Sequence, residues 1–247
     1  MVKQLHILAN PLRFAKLGNA IMPIASVMAI AALAVGLYGG LVLAPPDYLQ
    51  GDAMRIMYVH VPSAWMAMMV YAGMALCSAG FLIWRHPVAD FIARGASPVG
   101  ACFTVCALIT GMLWGKPAWG AAWVWDARLT SVLILFFLYV GHMILLQSFD
   151  DMQKSSKFGA ILAIIGAINL PIIKYSVDWW NTLHQTSSIS SLSRLASPSI
   201  TFDMLWPLLM MALGFLCLAI ALILRAAQIE MGKRRLLMAY QRKVSHG

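Results

Sequence analysis

The sequence predicts an all-α, polytopic integral membrane protein with six transmembrane helices and both termini in the cytoplasm. Of its 247 residues, 61% are hydrophobic and only 11% are charged, whereas soluble domains carry about a quarter charged residues. Six apolar runs have about the length that a membrane-spanning helix needs. They cover residues 20–43, 58–84, 96–114, 129–148, 158–176 and 204–225. Because no internal repeat divides them, residues 1–247 are expected to form a single membrane domain.

The distribution of Lys and Arg predicts the orientation of these helices. Thirteen of the 18 basic residues fall at the N-terminus, in two loops and in a C-terminal region with a basic tail at about 226–247. The two loops are 85–94 and 149–157. Cytoplasmic segments carry such an excess, so these parts are expected inside. The loops expected outside are 44–57, 114–128 and 177–203. The net charge of +9 is dispersed over short segments, which argues against a nucleic-acid interface.

The strongest local signal is the predicted outer loop 114–128, which contains four tryptophans, Trp114, Trp119, Trp123 and Trp125. Tryptophan favours the membrane interface, so an aromatic belt is one interpretation. A belt would scatter the rings over many helix ends. Here they crowd one segment between glycines and alanines, which leaves room for a flat aromatic ligand. Spacing alone favours neither interpretation, but it predicts that Trp119 and Trp123 share one face of a short amphipathic helix.

Two of the six histidines, His60 and His184, fall on the outer side with the tryptophan-rich loop. Imidazole is a common axial ligand of haem iron. Two imidazoles beside an aromatic surface suit an iron porphyrin better than zinc, which needs further ligands. His142 lies inside helix four, where we expect a hydrogen-bonded packing role. The remaining histidines are expected to be solvated in the cytoplasm, and they are His6, His86 and His246.

Three charged residues, Asp126, Arg128 and Arg55, are candidates to complete this site. Arginine suits bidentate binding of carboxylates, and haem carries two propionates. Contact with the ligand is therefore favoured. The alternative stays open that the arginines cap helix ends or form ion pairs with Asp126, Asp52 or Asp178.

Three segments resemble a known family. Residues 119–126 read WGAAWVWD and are similar to the WGxxWxWD signature of the tryptophan-rich (WWD) haem-handling membrane proteins. Within that superfamily, the chain length, the six spans and two further segments resemble the CcmC family of System I cytochrome c maturation. These segments are YVHVP at 58–62 and YSVDWWNTLHQ at 175–185. The resemblance extends over nearly the whole chain.

This resemblance implies a protein of the bacterial inner membrane whose functional loops are periplasmic. It implies that His60 and His184 are axial ligands of a transiently held haem b. The tryptophan-rich loop would be the platform, and Trp180 in the third segment would also contact the haem. The implied partners are the haem chaperone CcmE, which receives the haem, and a membrane complex of CcmA, CcmB and CcmD. We expect a protein that holds and presents haem, with neither an ATPase motif nor a catalytic residue of its own.

Two other classes of function remain open. A b-type electron-transfer subunit would ligate haem with histidines on facing helices at matched depth, whereas the candidates here are a helix start and a loop. A transporter of haem or another solute would show inverted repeats and broken helices. Only Asn169-Leu170-Pro171 and Lys174 indicate such a break, in helix five.

Overall fold

Six helical spans make up the part of the chain that this computed structural model describes, residues 10–184 and 200–245. Each span is long and apolar enough to cross a membrane, which confirms the predicted all-α, multi-pass fold. The helices are α1 (Pro11–Tyr38), α2 (Met57–Trp84), α3 (Pro87–Trp119), α4 (Ala127–Gln147), α5 (Met152–Gly166), α6 (Asn169–Trp179) and α7 (Phe202–Ser245). A π-helical turn, Gly39–Leu43, extends α1, and a 3-10 turn, Asp52–Ile56, leads into α2. Helices α5 and α6 together form the fifth span.

Side-chain caps set where several helices begin. Asn10 accepts a hydrogen bond from the amide of Leu12 at 2.9 Å, and Asp151 accepts one from Gln153 at 2.8 Å. Asp126 caps α4 by accepting from the amide of Leu129 at 2.7 Å. Such caps satisfy amides that have no partner within the helix. They therefore fix the residues at which α1, α4 and α5 begin.

Small residues allow the helices to approach closely. Helices α1 and α7 pack antiparallel, and a Cβ at Gly36 would lie 2.9 Å from the backbone nitrogen of Met211. A Cβ at Gly95 on α3 would lie 2.7 Å from the backbone nitrogen of Ala227 on α7. Close approach of this kind is the usual basis of helix association in membranes, where burial of apolar surface supplies little.

The core lies between α2, α3, α4 and α7. Tyr139 of α4 is fully buried, and its hydroxyl donates to the carbonyl of Ala67 on α2 at 2.8 Å. Its ring meets that of Tyr71 edge-on at 4.9 Å. One end of this bundle, where α1 stops, α2 and α4 begin and α3 ends, carries Trp114, Trp119 and Trp123. We call it the tryptophan end, and the other the opposite end.

Helix α3 differs from the expectation at both of its ends. It continues through Trp114 to Trp119, so the irregular segment covers residues 120–126 rather than 114–128. Gly120, at φ 77°, donates its amide to the carbonyl of Lys116 and turns the chain out of the helix. The prediction that Trp119 and Trp123 share a helix face is therefore wrong. Arg94, expected in a loop, lies inside α3 and is buried.

A buried ion pair explains how α3 tolerates Arg94. Its Nε lies 3.1 Å from Oδ2 of Asp90, one turn earlier. Its second terminal nitrogen donates to the hydroxyls of Ser155 and Ser156 on α5, at 3.0 and 2.7 Å. A charge inside a membrane protein needs such partners. The pair thereby joins α3 to α5 at the opposite end.

The break predicted in the fifth span is confirmed. It lies between Gly166 and Asn169, where the buried side-chain amide of Asn169 donates to the carbonyl of Ser131 at 2.8 Å. His142 is buried, but its Nδ1 has no hydrogen-bond partner within the described residues. This differs from the hydrogen-bonded packing role that was expected for it.

The basic segment that was expected to be a tail is helical and continues α7 to Ser245.

Candidate functional site

His60 lies in the first turn of α2 and is held against α3. Its Nδ1 lies 3.0 Å from the carbonyl oxygen of Ala107 and 3.1 Å from the hydroxyl of Thr110. Because a carbonyl only accepts, Nδ1 carries the proton and Nε2 keeps its lone pair. Trp114 meets the imidazole edge-on at 5.7 Å. A Cβ at Gly111 would lie only 3.0 Å from Cε1 of His60, so glycine leaves the room that the ring needs.

His184 is held by two residues from the tryptophan-rich segment. Its Nδ1 lies 3.5 Å from Oδ2 of Asp126, and Trp119 packs edge-on against its ring at 4.7 Å. The other oxygen of Asp126 caps α4. One carboxylate therefore fixes both the start of a helix and the orientation of an imidazole. Such carboxylate–histidine pairs orient metal ligands in many proteins.

The environment keeps His184 in the neutral form that binds metals. Burial lowers the pKa of this imidazole, and the positive charge of Arg128 lowers it further. The Asp126 carboxylate opposes both effects. Since the pKa remains below its ordinary value of 6.5, Nε2 is available as a ligand at neutral pH.

His60 and His184 both lie at the tryptophan end, where both contact the last turns of α3, His60 through Trp114 and His184 through Trp119. Each ring places its Nδ1 against an oxygen of the protein. Among the described residues no hydrogen-bond partner occupies either Nε2, so both are left for a ligand.

The tryptophans of this end differ in their surroundings. Trp114 donates its indole N–H to Oε1 of Gln50 at 2.7 Å. Trp123 has a buried Nε1 with no acceptor in the described part of the chain. Trp125 is 75% exposed and meets Trp123 edge-on at 5.3 Å. A buried donor without an acceptor is costly, so Trp123 is suited to donate to a bound ligand.

Both candidate arginines already have partners in the protein. Arg55 lies 2.9 Å from Oδ1 of Asp52 and donates to the carbonyl of Gly40 at 2.8 Å. Arg128 donates to the hydroxyl of Ser176 at 3.3 Å and to the carbonyls of Ile173 and Lys174 in the middle of α6. The Arg55–Asp52 pair corresponds to the ion-pair alternative. Arg128 instead joins the start of α4 to the side of α6.

Comparison with known proteins identifies the family. A family profile described as Heme exporter protein C matches residues 4–242. A protein of that name from Bradyrhizobium diazoefficiens is 50% identical over 228 residues, which cover 92% of this chain and 85% of the relative. The chain belongs to the heme exporter protein C family. Its similarity to the Haemophilus influenzae member is 44% identity, covering 94% of each chain.

A relative from outside the bacteria is also similar. A Marchantia polymorpha protein is 47% identical over 197 residues, which cover 79% of this chain and 82% of the relative. It is provisionally named as a ccmC-like mitochondrial protein of cytochrome c biosynthesis. The family resemblance drawn from residues 58–62, 119–126 and 175–185 is thereby confirmed.

In this member of the heme exporter protein C family, Trp180 contacts another tryptophan. It follows α6 as its C-cap, is half exposed and meets Trp179 edge-on at 5.7 Å. Trp179 in turn stacks on Tyr175 at 5.5 Å. These three rings form a second aromatic group on α6. His6 and His246 lie outside the described residues, as does the chain from 185 to 199.

Four residues that support this site were missed by sequence reasoning. They are Gln50, which holds Trp114, and Ala107, Thr110 and Gly111, which hold or accommodate His60. Helical spacing would have found Thr110, because it lies four residues before Trp114 on the same face. The assumption that a loop begins at residue 114 concealed that relationship.

Proposed function

We propose that this protein binds haem at the tryptophan end, with Nε2 of His60 and Nε2 of His184 as the axial ligands. The observation that carries the proposal is that both imidazoles contact tryptophans at the same end of α3, with Nδ1 held by the protein and Nε2 not bonded to any described residue. Membership of the heme exporter protein C family supports a role in haem handling for cytochrome c biogenesis.

The surroundings of the two histidines fit a porphyrin carrying carboxylates. Trp119 packs against His184, and Trp123 and Trp125 pack against each other in the segment that leads to Asp126, so all three supply flat apolar surface at this end. The indole N–H of Trp123, which has no acceptor among the described residues, matches a propionate oxygen. Haem contributes its iron and its vinyl groups, while the residues of this chain ligate, orient and shield it. With Asp126 used for capping and for His184, we infer a holder rather than an enzyme.

We further propose that the tryptophan end faces the periplasm of the bacterial inner membrane. Arg55, Lys116, Arg128 and Lys174 are the basic residues of that end within the described chain, and the larger number at the opposite end fits a cytoplasmic location. Haem b held there is accessible to a periplasmic chaperone of the CcmE kind. CcmA, CcmB and CcmD are the proposed membrane partners, because the chain has no ATPase motif.

Transport remains the second candidate function, on the strength of the break between α5 and α6. Broken helices mark the substrate sites of many transporters. Here the side-chain amide of Asn169 donates to the carbonyl of Ser131, so this polar group bonds to the protein rather than to a substrate. The histidine pair also lies at the end of the bundle rather than at mid-depth, which favours holding haem over passing it or electrons through the membrane.

An absorption spectrum of the purified protein, oxidised and reduced, tests the proposed ligation. We expect low-spin, six-coordinate haem in the parent. His60→Ala and His184→Ala should each perturb that spectrum, and added imidazole should partly restore it. His86→Asn is the matched control, because asparagine can keep the cap that His86 provides to Ala89. A folded double variant with the low-spin spectrum of the parent would refute this pair and direct attention to His142.

A further inference from the structure

A cavity of about 280 Å³ lies at the opposite end of the bundle, away from the histidines. It is enclosed by the end of α2, the starts of α3 and α5, and the basic part of α7. Its lining combines charged, polar and apolar side chains, including Arg85, Arg234, Gln153, Phe81, Pro87 and Met152. We call it the arginine cavity.

The two arginines of this cavity have no carboxylate partner. Neither forms an ion pair with another described residue. The guanidinium of Arg234 lies over the ring of Phe91, 5.6 Å from its centroid, which positions the group without using its N–H donors. Asp90, the buried carboxylate of this end, is already bonded to Arg94 and Ser156. The other carboxylates of the lining helices are also engaged, because Asp151 caps α5 and Glu230 pairs with Lys233. Within the described chain the cavity therefore holds two guanidinium groups without an ion-pair partner.

The backbone at Arg85 is unusual for an arginine. It ends α2 in the left-handed conformation, with φ 53° and ψ 34°, and its amide donates to the carbonyl of Phe81 at 2.9 Å. It is the one residue other than glycine with positive φ in the described chain. Helices normally place glycine at such a position. Arg85 takes this backbone conformation while its side chain lines the cavity.

Two helices begin at the cavity, since Pro87 and Met152, both in the lining, are the first residues of α3 and α5. Each start already has a carboxylate, Asp90 in the first turn of α3 and Asp151 as the cap of α5. The attraction for an anion therefore rests on the two guanidinium groups. Next to it, at the end of α2, Ile83 and Trp84 are 66% and 56% exposed. An anion-binding cavity with an apolar margin suits a molecule that has both a phosphate and an acyl chain.

We propose that the arginine cavity binds the phosphate of an anionic phospholipid between Arg85 and Arg234. Basic pockets between transmembrane helices recognise lipid headgroups in this manner. Free phosphate offers the same chemistry to the guanidinium groups, but only a lipid also uses the apolar residues. The lipid would link α2, α3, α5 and α7 at the opposite end, independently of haem.

The experiment measures binding of short-chain phosphatidylglycerol to the delipidated full chain by native mass spectrometry, in phosphate-free buffer. Short-chain phosphatidylcholine is the zwitterionic comparison. Because each basic residue near a headgroup contributes about a fivefold gain in affinity, Arg85→Gln and Arg234→Gln should each weaken phosphatidylglycerol binding about fivefold. The exposed neighbour Arg235, changed to Gln, is the matched control and should bind like the parent.

A second variant and a second ligand complete the test. Arg85→Gly removes the guanidinium yet suits the left-handed backbone, so it should fold at least as stably and still bind the lipid more weakly. If inorganic phosphate alone raises the thermal unfolding midpoint of the parent and phosphatidylglycerol does not, the site takes free phosphate rather than lipid. Equal binding of the two lipids, or unchanged binding in the Arg85→Gln/Arg234→Gln double variant, would overturn the proposal.

Discussion

At the scale of single residues, Asp126 links local structure to the proposed ligand site. One of its oxygens caps α4 and the other faces Nδ1 of His184. Asparagine can cap a helix almost as well as aspartate, but it would present no carboxylate to the imidazole. We therefore expect Asp126→Asn to keep the stability of the protein and to weaken haem retention by about 10- to 100-fold, as loss of a ligand's support does elsewhere.

Asp126→Ala separates the two roles of this side chain. It removes the cap as well, so we expect an additional loss of about 1 kcal/mol in the free energy of unfolding. Haem titration and thermal unfolding of the three proteins would measure both effects. Equal haem affinity in the parent and Asp126→Asn would show that the carboxylate does not orient His184.

The lowered pKa of His184 predicts an acid sensitivity of the haem-free protein. In the unfolded chain this histidine takes up its proton near pH 6.5, whereas in the folded protein it does so only at lower pH. Above pH 6.5 the contribution of His184 to the free energy of unfolding is therefore constant. Below pH 6.5 that contribution falls, because protonation stabilises the unfolded chain more than the folded protein. Between about pH 7.5 and about pH 5.5, a range that includes the ordinary histidine pKa, the unfolding temperature should fall more for the parent than for His184→Gln.

The comparison with His184→Gln isolates this residue, because the other histidines are present in both proteins. An equal fall in unfolding temperature for the two would mean that His184 is not held in a buried, neutral form. A smaller fall in the unfolding temperature of the parent than of His184→Gln would mean that folding raises the pKa of His184, the opposite of the expected shift.

At the scale of helices, the sequence predicted the spans better than their ends. Hydropathy found all six, because a run of apolar residues is the direct requirement of the bilayer. It placed the end of α3 at residue 114, where the apolar run stops. The helix reaches Trp119 because Gly120 provides the left-handed residue that closes it. Hydropathy cannot register such a backbone signal.

Close contact between α3 and α7 predicts opposite effects of two similar substitutions. A Cβ at Gly95 would lie 2.7 Å from the backbone nitrogen of Ala227, whereas a Cβ at Gly73 would meet nothing within 4 Å. Alanine is the better helix former, by about 1 kcal/mol, so Gly73→Ala should leave stability equal or higher. Gly95→Ala should destabilise by about 1–3 kcal/mol, because backbone must move. Thermal unfolding would compare them, and equal stabilities would contradict the tight α3–α7 contact.

At the scale of the whole molecule, the two ends of the bundle have different chemistry. The tryptophan end gathers His60, His184 and Asp126, while the opposite end gathers most of the basic residues and the arginine cavity. Sequence reasoning selected both histidines, because residue type and topology place them on one side. It could not select Ala107 or Gln50, whose roles arise only from contacts between residues far apart in the chain.

The proposed function depends most on the orientation of this asymmetric bundle in the membrane. If the Lys and Arg bias sets the orientation, the tryptophan end faces the periplasm. Ala122 and Asp150 are both exposed, at the tryptophan end and the opposite end respectively. In intact bacteria, Ala122→Cys should react with a membrane-impermeant maleimide, and Asp150→Cys should react only after the inner membrane is permeabilised. The parent, whose four cysteines lie within helices, provides the background. Labelling in the reverse order would place the histidine pair in the cytoplasm, where it could not present haem to a periplasmic chaperone.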